Sequence, residues 1–573
     1  MPNICFNTET ANNLKLQKVT QIKDGEICEY RLELEFFEGE EPKEFKITWQ
    51  ESQIDSLGFW SPNNNFDHNL TPEWWKREVK SDVAHGMPLA SIYSKSGENR
   101  LTISLSDPKN SIKIRAGVVE ENGKIEYDII FFSDKTPKMD KYEAIIRLDR
   151  RKIPFYKAAE TAKNWWCELG YKPSYEPKYA SAPLYSAWYS FHQRTIPEEI
   201  IAECKVAKEF GMDTLIVDDG WQTDDNSRGY GYCGDWEVCE AKIPDMKDFV
   251  DKIHELDMKF MIWFSVPYVG YYSKNFERFK GKYLSDRKRM NAMVLDPRFK
   301  DVRDFIVDTY VNFVNKYGID GLKLDFIDSF SLGEESSTDY ENMDTVSVAD
   351  ATEKLLSEIS DKLKAINPEF LIEFRQSYIG PVISQYGNMF RVTDCPNDSL
   401  LNRVHSLNMR MVQNGIVHSD MMMWSGEDTN ESVIYQLLGT MFCVPQISIR
   451  FDDITSDQKK ILGNYISFWR KHKETILHGE MEYFDAHANY SRARSTKNNE
   501  RVSVLFNSVV EDIDATLTSY IFNASGSDFI YVEANNTLAC EKYNEFGELT
   551  EKFVISKGIS KIPLNIGSMI KIN

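Results

Sequence analysis

Several things are scarce in this chain, and each scarcity excludes something. Its nine cysteines are scattered over 573 residues, odd in number and without a single CxxC pair. That density is too low for a disulfide scaffold, and the spacing matches no zinc site. Cys233 and Cys239 are the closest pair, with no further ligands beside them. None of the nine histidines falls at metal-ligand spacing, so metal-dependent chemistry is disfavoured and no metal is expected. No apolar run approaches the length that crosses a bilayer. The amino terminus, Met1-Pro-Asn-Ile-Cys-Phe-Asn-Thr-Glu9, has neither the basic nor the apolar segment of a signal peptide. A reducing cytoplasm is the expected location. Positive charge is also short: 68 Lys and Arg against 89 Asp and Glu leave a net charge of −21, which argues against a polyanionic partner. Neither a nucleic acid nor a membrane is an expected partner, further copies of the chain are open, and the charge says nothing about an uncharged substrate such as a sugar.

Aromatic residues are plentiful. They make up 13% of the chain and include 12 Trp. Sugar rings present apolar C–H faces that stack on indole and phenol rings, so this richness leans towards carbohydrate, although most single aromatics serve a core.

A chain this long exceeds one hydrophobic core. Residues 1–150 read as an antiparallel β-sandwich, because Tyr30–Phe37, Arg100–Ser106, Ser111–Arg115 and Tyr127–Phe132 alternate apolar and polar. Residues 151–183 read as a helical linker, with a helix near 156–169 and then Pro173, Pro177 and Pro183. From 184 to 477 strand-like and helical runs alternate, the pattern of parallel βα units. Eight strands are expected, at Ser186–Phe191, Thr214–Asp219, Lys259–Ser265, Gly321–Phe326, Leu371–Arg375, Met389–Asp394, Val417–Trp424 and Pro445–Phe451. Together they suit a (β/α)8 TIM barrel. Its first helix is expected to open on a capping box, Thr195-Ile-Pro-Glu198, and to close at Gly211. Residues 478–573 read as a smaller antiparallel β-domain.

Barrel strands deliver their last side chains to one open face, where the chemistry of such folds sits. The fourth strand ends in Gly321-Leu-Lys-Leu-Asp325-Phe326 and the sixth in Phe390-Arg-Val-Thr-Asp394. Two carboxylates on nearby strand ends are the apparatus of retaining glycoside hydrolysis, one as nucleophile and one as proton donor. Asp325 and Asp394 are the candidates. Lys323 points to the same side as Asp325 and is expected to pair with it, holding it ionised. A neighbouring carboxylate is expected to raise the pKa of Asp394, so that it keeps a proton. Asp398 is its rival, and Asp328 reads as a loop residue. Asp218 and Asp219, after the second strand, can accept hydrogen bonds from neighbouring hydroxyls, with Trp221 and Trp263 as candidate walls. Arg391 is expected to bind substrate or orient the site. Glu373 and Arg375 either pair with each other or leave Arg375 for the substrate. His418, Asp420 and Trp424 are lesser candidates.

These residues resemble glycoside hydrolase family 36, the bacterial α-galactosidases, and more distantly family 27. The matching strings are Ala187-Trp188-Tyr189, Val217-Asp-Asp-Gly-Trp221, Gly234-Asp-Trp236, Ile262-Trp263, Leu322-Lys-Leu-Asp-Phe326 and Arg391-Val-Thr-Asp394. The resemblance implies an exo-acting retaining hydrolase that releases terminal α-galactosyl residues without a cofactor. It implies Asp325 as nucleophile, Asp394 as acid/base, Asp218 and Asp219 as readers of the galactose 4- and 6-hydroxyls, and Lys323 and Arg391 as ring-hydroxyl contacts. Trp188 lies within a matching string, and Trp60 resembles a Trp that family members extend towards the pocket. The chain departs from the family after the fifth strand, where Glu373-Phe-Arg-Gln-Ser377 replaces small residues near the sugar's 2-position, and again at Thr393-Asp-Cys-Pro396. Other activities on the same scaffold are therefore open: α-N-acetylgalactosaminidase, another or an anionic α-linked sugar met by Arg375, or raffinose-synthase-type transfer. A non-catalytic carbohydrate-binding barrel is the rival from another class.

Overall fold

In the computed structural model, residues 7–9 and 13–573 are described; Cys5 and the string around it lie outside the described residues. In the strand Ile27–Phe36, every second side chain (Cys28, Tyr30, Leu32, Leu34 and Phe36) is buried. Such alternation is what one solvated sheet face requires. Antiparallel strands of this kind form a six-stranded and a five-stranded sheet. Leu32 and Leu34 of one share a core with Ile47, Trp49, Ile114 and Ile129 of the other. The helix Phe155–Glu168 then turns Ala158, Ala159, Ala162, Trp165 and Trp166 inward. The Trp166 indole N–H donates to Leu105 O at 2.8 Å and so ties the helix to the sandwich.

The period changes at the barrel. The third strand, Lys259–Ser265, is buried almost throughout, as expected for a parallel strand covered on both faces. The remaining strands are Leu184–Ser186, Thr214–Val217, Gly321–Asp325, Leu371–Arg375, Met389–Arg391, Ile416–His418 and Gln446–Ile447. They lie parallel in one eight-stranded sheet, each beside its neighbour in sequence and the eighth beside the first. Parallel bridges His418↔Val444 and Met422↔Ile447 bring the seventh strand to the eighth and nearly close the ring.

Each of the eight expected strands has a counterpart, but most are shorter at the carboxyl end, and the first, expected at Ser186–Phe191, is Leu184–Ser186 and shares only Ser186 with it. Trp188–Phe191 is a helical turn, with the His192 N–H bonded back to Trp188 O. Past Val217, Arg391 and His418 the chain leaves the ladder, so Asp218, Asp219, Asp394 and Asp420 stand on loops just beyond strand ends. The expected capping box is absent. Pro197 occupies the first turn of the helix Pro197–Glu209, Ile196 is the N-cap residue, and no side chain caps it. A three-stranded antiparallel insertion built from Tyr268–Gly270, Tyr283–Arg287 and Ala292–Leu295 follows the third strand. The carboxyl-terminal strands form seven- and three-stranded sheets, mainly antiparallel with two parallel pairs. Ile521, Ile530, Val532, Ile562 and Ile570 are in their core.

Candidate active site

Asp325 is the last residue of the fourth strand, and its side chain is only 9% exposed. Its two oxygens are treated unequally. Oδ1 accepts from Arg375 Nε at 2.9 Å, from its neighbour's Phe326 N–H at 2.8 Å and from the Tyr378 hydroxyl. Oδ2 accepts one bond, from the Trp263 indole N–H at 3.0 Å. Burial pushes the pKa up, but the Arg375 and Lys323 charges and the Trp263 and Tyr378 hydrogen bonds outweigh it, holding the carboxyl well below its ordinary range. The result is an ionised carboxylate with one crowded oxygen and one with spare acceptor capacity.

The expected Lys323–Asp325 pair is not what forms. Lys323 Nζ bonds Asp218 Oδ2 at 2.5 Å, and Asp325 pairs with Arg375 instead. The fifth strand is hydrogen-bonded to the fourth and brings Arg375 alongside, while Lys323 reaches the loop after the second strand. Asp219 accepts from Gln193 Nε2 and Gln222 Nε2, each at 2.7 Å. Burial, opposed by those two amides and helped by Asp218, raises its pKa to about 6.

Of the five tryptophans singled out, Trp188 keeps an accessible face, with the Arg228 guanidinium 5.1 Å from its ring centroid. Trp221 is no wall. It is fully buried against Trp236 and Phe264, and its N–H is spent on Trp263 O. Trp263 is buried too and offers its polar edge to Asp325; the half-buried Tyr230 lies over it, with centroids 6.0 Å apart and planes at 26°. Trp60 does not extend to a pocket. Its N–H donates to Asn408 Oδ1 and Tyr490 OH, pinning the sandwich to the barrel and the carboxyl-terminal domain. Large apolar rings are worth more in a core than at a wet mouth, and sequence position alone does not separate the two.

Asp394 stands three residues past the sixth strand with its side chain 54% exposed. Burial raises its pKa, but Arg391, Arg375 and Lys323 outweigh this and the opposing Asp325, so the net direction is down. The expected elevation by a neighbouring carboxylate therefore fails in the free protein, because the Arg391, Arg375 and Lys323 charges outweigh that of Asp325. Arg391 is also not a free substrate contact. It is buried, with Nη1 on Asp420 Oδ1 at 2.5 Å and on Val392 O at 3.0 Å, and Nη2 on Asp394 Oδ1 at 2.8 Å. Asp420, a lesser candidate, is fully buried and also accepts from Cys395 N at 2.7 Å and Tyr189 OH at 3.0 Å, bracing the loop that carries Asp394.

Asp398 caps the helix Ser399–Val412 by accepting Leu401 N–H, which removes it as a rival acid. Asp328 is exposed in a short turn. Glu373 does not pair with Arg375; it is buried, accepts from Gln446 Nε2 at 2.6 Å and lies 3.9 Å from Arg391 Nε. Arg375 is at the mouth with 17% of its side chain exposed, above the rings of Phe326 and Tyr378. His418 is core: burial lowers its pKa to about 3, and Nε2 bonds Ala180 O at 2.8 Å. Trp424 is buried as well. Tyr378, Gln193 and Gln222 had no signal in the sequence, because each reaches its carboxylate through loop geometry rather than strand spacing.

Comparison with known proteins agrees with this layout. Residues 184–375 match the Melibiase family model. The chain is 33% identical over 134 residues to "Alpha-galactosidase Mel36A" of Lactobacillus acidophilus, covering 22% of this chain and 18% of that protein. It is 29% identical over 150 residues to "Alpha-galactosidase AgaA" of Geobacillus stearothermophilus, covering 25% and 20%. The matched stretch is thus about a fifth of each relative's length. The crystal structure of GH36 α-galactosidase AgaA in complex with raffinose superposes with a TM-score of 0.65 at 14% identity, over 96% of this chain and 79% of that one. The galactosidase domain of the α-galactosidase–sucrose kinase AgaSK gives 0.65 at 13%, over 96% and 78%. At such identities the superpositions establish the fold. Family model and relatives place the resemblance with the α-galactosidases, and the fold is that of the GH36 structures.

Proposed function

We propose that this chain is a retaining, exo-acting, α-galactosidase-like glycoside hydrolase that cleaves terminal α-linked sugars by double displacement. The observation that carries the reading is the unequal coordination of Asp325. A nucleophilic carboxylate must be ionised, fixed in orientation and left with a reactive oxygen. Arg375, Tyr378 and the Phe326 N–H secure Oδ1. Oδ2, with one hydrogen bond, is the oxygen assigned to attack the anomeric carbon. As the glycosidic C–O bond breaks, Asp394 gives its proton to the departing oxygen. It then takes one from water, whose oxygen displaces Asp325 from the sugar. In the free protein Asp394 is pulled down by cations and screened by water. A sugar ring over that half-exposed carboxyl strips the water away, and desolvation raises a carboxyl's pKa. Asp218 and Asp219 are assigned to the distal hydroxyls, and Trp188 to the rim. No cofactor enters these steps.

Oligosaccharides are the proposed substrate class, as for the relatives crystallised with raffinose and stachyose. Arg375 is the one observation favouring another α-linked sugar at the same site. An anionic sugar fits poorly, because Asp218, Asp219, Asp325, Asp394, Glu373 and Asp420 outnumber Lys323, Arg375 and Arg391. A cytoplasmic location is proposed on the cysteines from Cys28 to Cys540, which are all unpaired; no helix among the described residues is long and apolar enough to cross a membrane. A panel of p-nitrophenyl α-glycosides, with the anomer of the first product read by NMR, tests the reading. The α-galactoside should be cleaved best, with the α-sugar released first. Cleavage of none, or initial release of the β-sugar, refutes it.

A further inference from the structure

The carboxyl assigned as acid and base stands on a loop, so its placement depends on what holds that loop. Arg391 and Asp420 hold it from one side. From the other side the contact is Gln376, the residue after the fifth strand, which is buried. Its backbone N–H donates to Arg391 O at 2.7 Å, and its Oε1 accepts the N–H of Thr393, next to Asp394, at 3.3 Å. Both bonds run to the segment that ends in the acid.

Gln376 is itself held from outside the barrel. Its Nε2 donates to Asn63 Oδ1 at 2.8 Å and, more weakly, to Pro62 O at 3.4 Å. Its Oε1 also lies 2.6 Å from Nδ1 of the buried His405, on the helix Ser399–Val412, and His405 Nε2 lies 2.7 Å from the side-chain amide of Asn65. Burial lowers the His405 pKa to about 4, so the ring is neutral. Nδ1–H then donates to Gln376 Oε1; Asn65 stands with Oδ1 2.7 Å from Nε2, and a neutral ring pairs with it when the Asn65 amide is turned to present its NH2. Asn63 and Asn65 follow the strand Gly58–Trp60 of the amino-terminal sandwich. The inner members of this network, Gln376 and His405, are buried, and such bonds fix one geometry and link a distant domain to the backbone beside the acid.

We propose that Gln376 is a positioning residue for Asp394, and that Asn63, Asn65 and His405 make the amino-terminal sandwich part of the device that aims the proton donor. The inference rests on the reading of Asp394 as acid/base. It has a signature that general loss of structure lacks. A nitrophenolate leaves with little help from an acid, whereas a sugar alkoxide does not leave without one. Misaiming the donor therefore harms raffinose cleavage far more than that of p-nitrophenyl α-galactopyranoside.

The test compares kcat/KM on both substrates for wild type, Gln376→Leu, Asn63→Ala and Asn65→Ala, with Asp394→Asn as reference. Asn63 and Asn65 are on a surface loop, so their variants keep the test usable if Gln376→Leu fails to fold. The expected losses are about 10- to 100-fold on raffinose and less than about 3-fold on the nitrophenyl substrate, with a larger split for Asp394→Asn. Equal losses on both substrates, or none, in the Gln376 and Asn63 variants overturn the proposal while a split in Asp394→Asn keeps the acid assignment. No split in Asp394→Asn removes that assignment, and the proposal with it.

Discussion

Asp325→Ala separates a nucleophile from a merely structural carboxylate. The substitution deletes an acceptor that Arg375, Tyr378, Trp263 and the Phe326 N–H all address. Breaking a buried ion pair by removing one partner costs about 3–5 kcal/mol, and the open barrel mouth, which lets water replace the carboxyl, points to the lower end, about 3 kcal/mol. Alanine is the better choice over asparagine. An amide NH2 at either oxygen position would face a hydrogen-bond donor, on the Oδ2 side the Trp263 indole at 3.0 Å. The catalytic loss is larger than the stability loss: removal of a covalent nucleophile lowers kcat by roughly 10⁵ or more, equivalent to about 7 kcal/mol.

Hydrolysis of p-nitrophenyl α-galactopyranoside, with and without azide, is the assay. Azide fits the space left by the carboxylate and attacks from the same face, giving a β-glycosyl azide of inverted configuration. Activity within tenfold of wild type, or an azide product of retained configuration, refutes the assignment. The sign of the pH effect supplies a second check. The Asp325 pKa is depressed in the folded state, so its stabilisation is present above the unfolded value of about 3.9 and is lost as pH falls through the folded value. The difference in Tm between wild type and Asp325→Ala should therefore shrink in acid and be widest at neutral pH.

Substitutions at three further positions have defined outcomes. Asp219, with a folded pKa raised to about 6, weakens the fold as pH rises from about 4 to 6, by up to about 3 kcal/mol. The Tm deficit of Asp219→Ala should accordingly be smaller at pH 8 than at pH 4, and the same variant should lose about 2–4 kcal/mol in kcat/KM; an unchanged kcat/KM makes it a structural residue. Arg375→Ala should alter the ranking of sugars across the nitrophenyl panel if the guanidinium touches substrate, and a uniform loss across the panel would confine it to holding Asp325. Lys323→Met leaves Asp218 buried and uncompensated, so chemical denaturation should show a loss of about 3–5 kcal/mol; a loss below about 1 kcal/mol would mean that water reaches Asp218.

The parts of this site that are legible in the sequence are those set by strand periodicity. Alternation marks Lys323 and Asp325 as sharing a side, and the strand-end rule brings Asp218, Asp325, Arg375 and Asp394 to one mouth. What periodicity does not contain is which charge meets which. Pairing depends on distances between strands and on the loops beyond them. Arg375, on the strand beside Asp325, takes the partner that spacing assigned to Lys323. Asp394 has its pKa set by three cations, none of them adjacent to it in sequence.

Aromatic residues show the same limit. Trp60, Trp221 and Trp263 have the composition of a sugar platform and the burial of a core. Yet each indole N–H has a specific task, and those tasks connect the domains to the reaction centre. Trp221 holds Trp263 O, Trp263 holds Asp325, and Trp60 holds Asn408, whose amide also donates to the backbone of the sandwich loop at Asn64. The polar edges of these rings matter here more than their faces. The aromatic richness of the chain therefore bears on its chemistry by fixing where the carboxylates point, while Tyr230 and Trp188 stay half-buried.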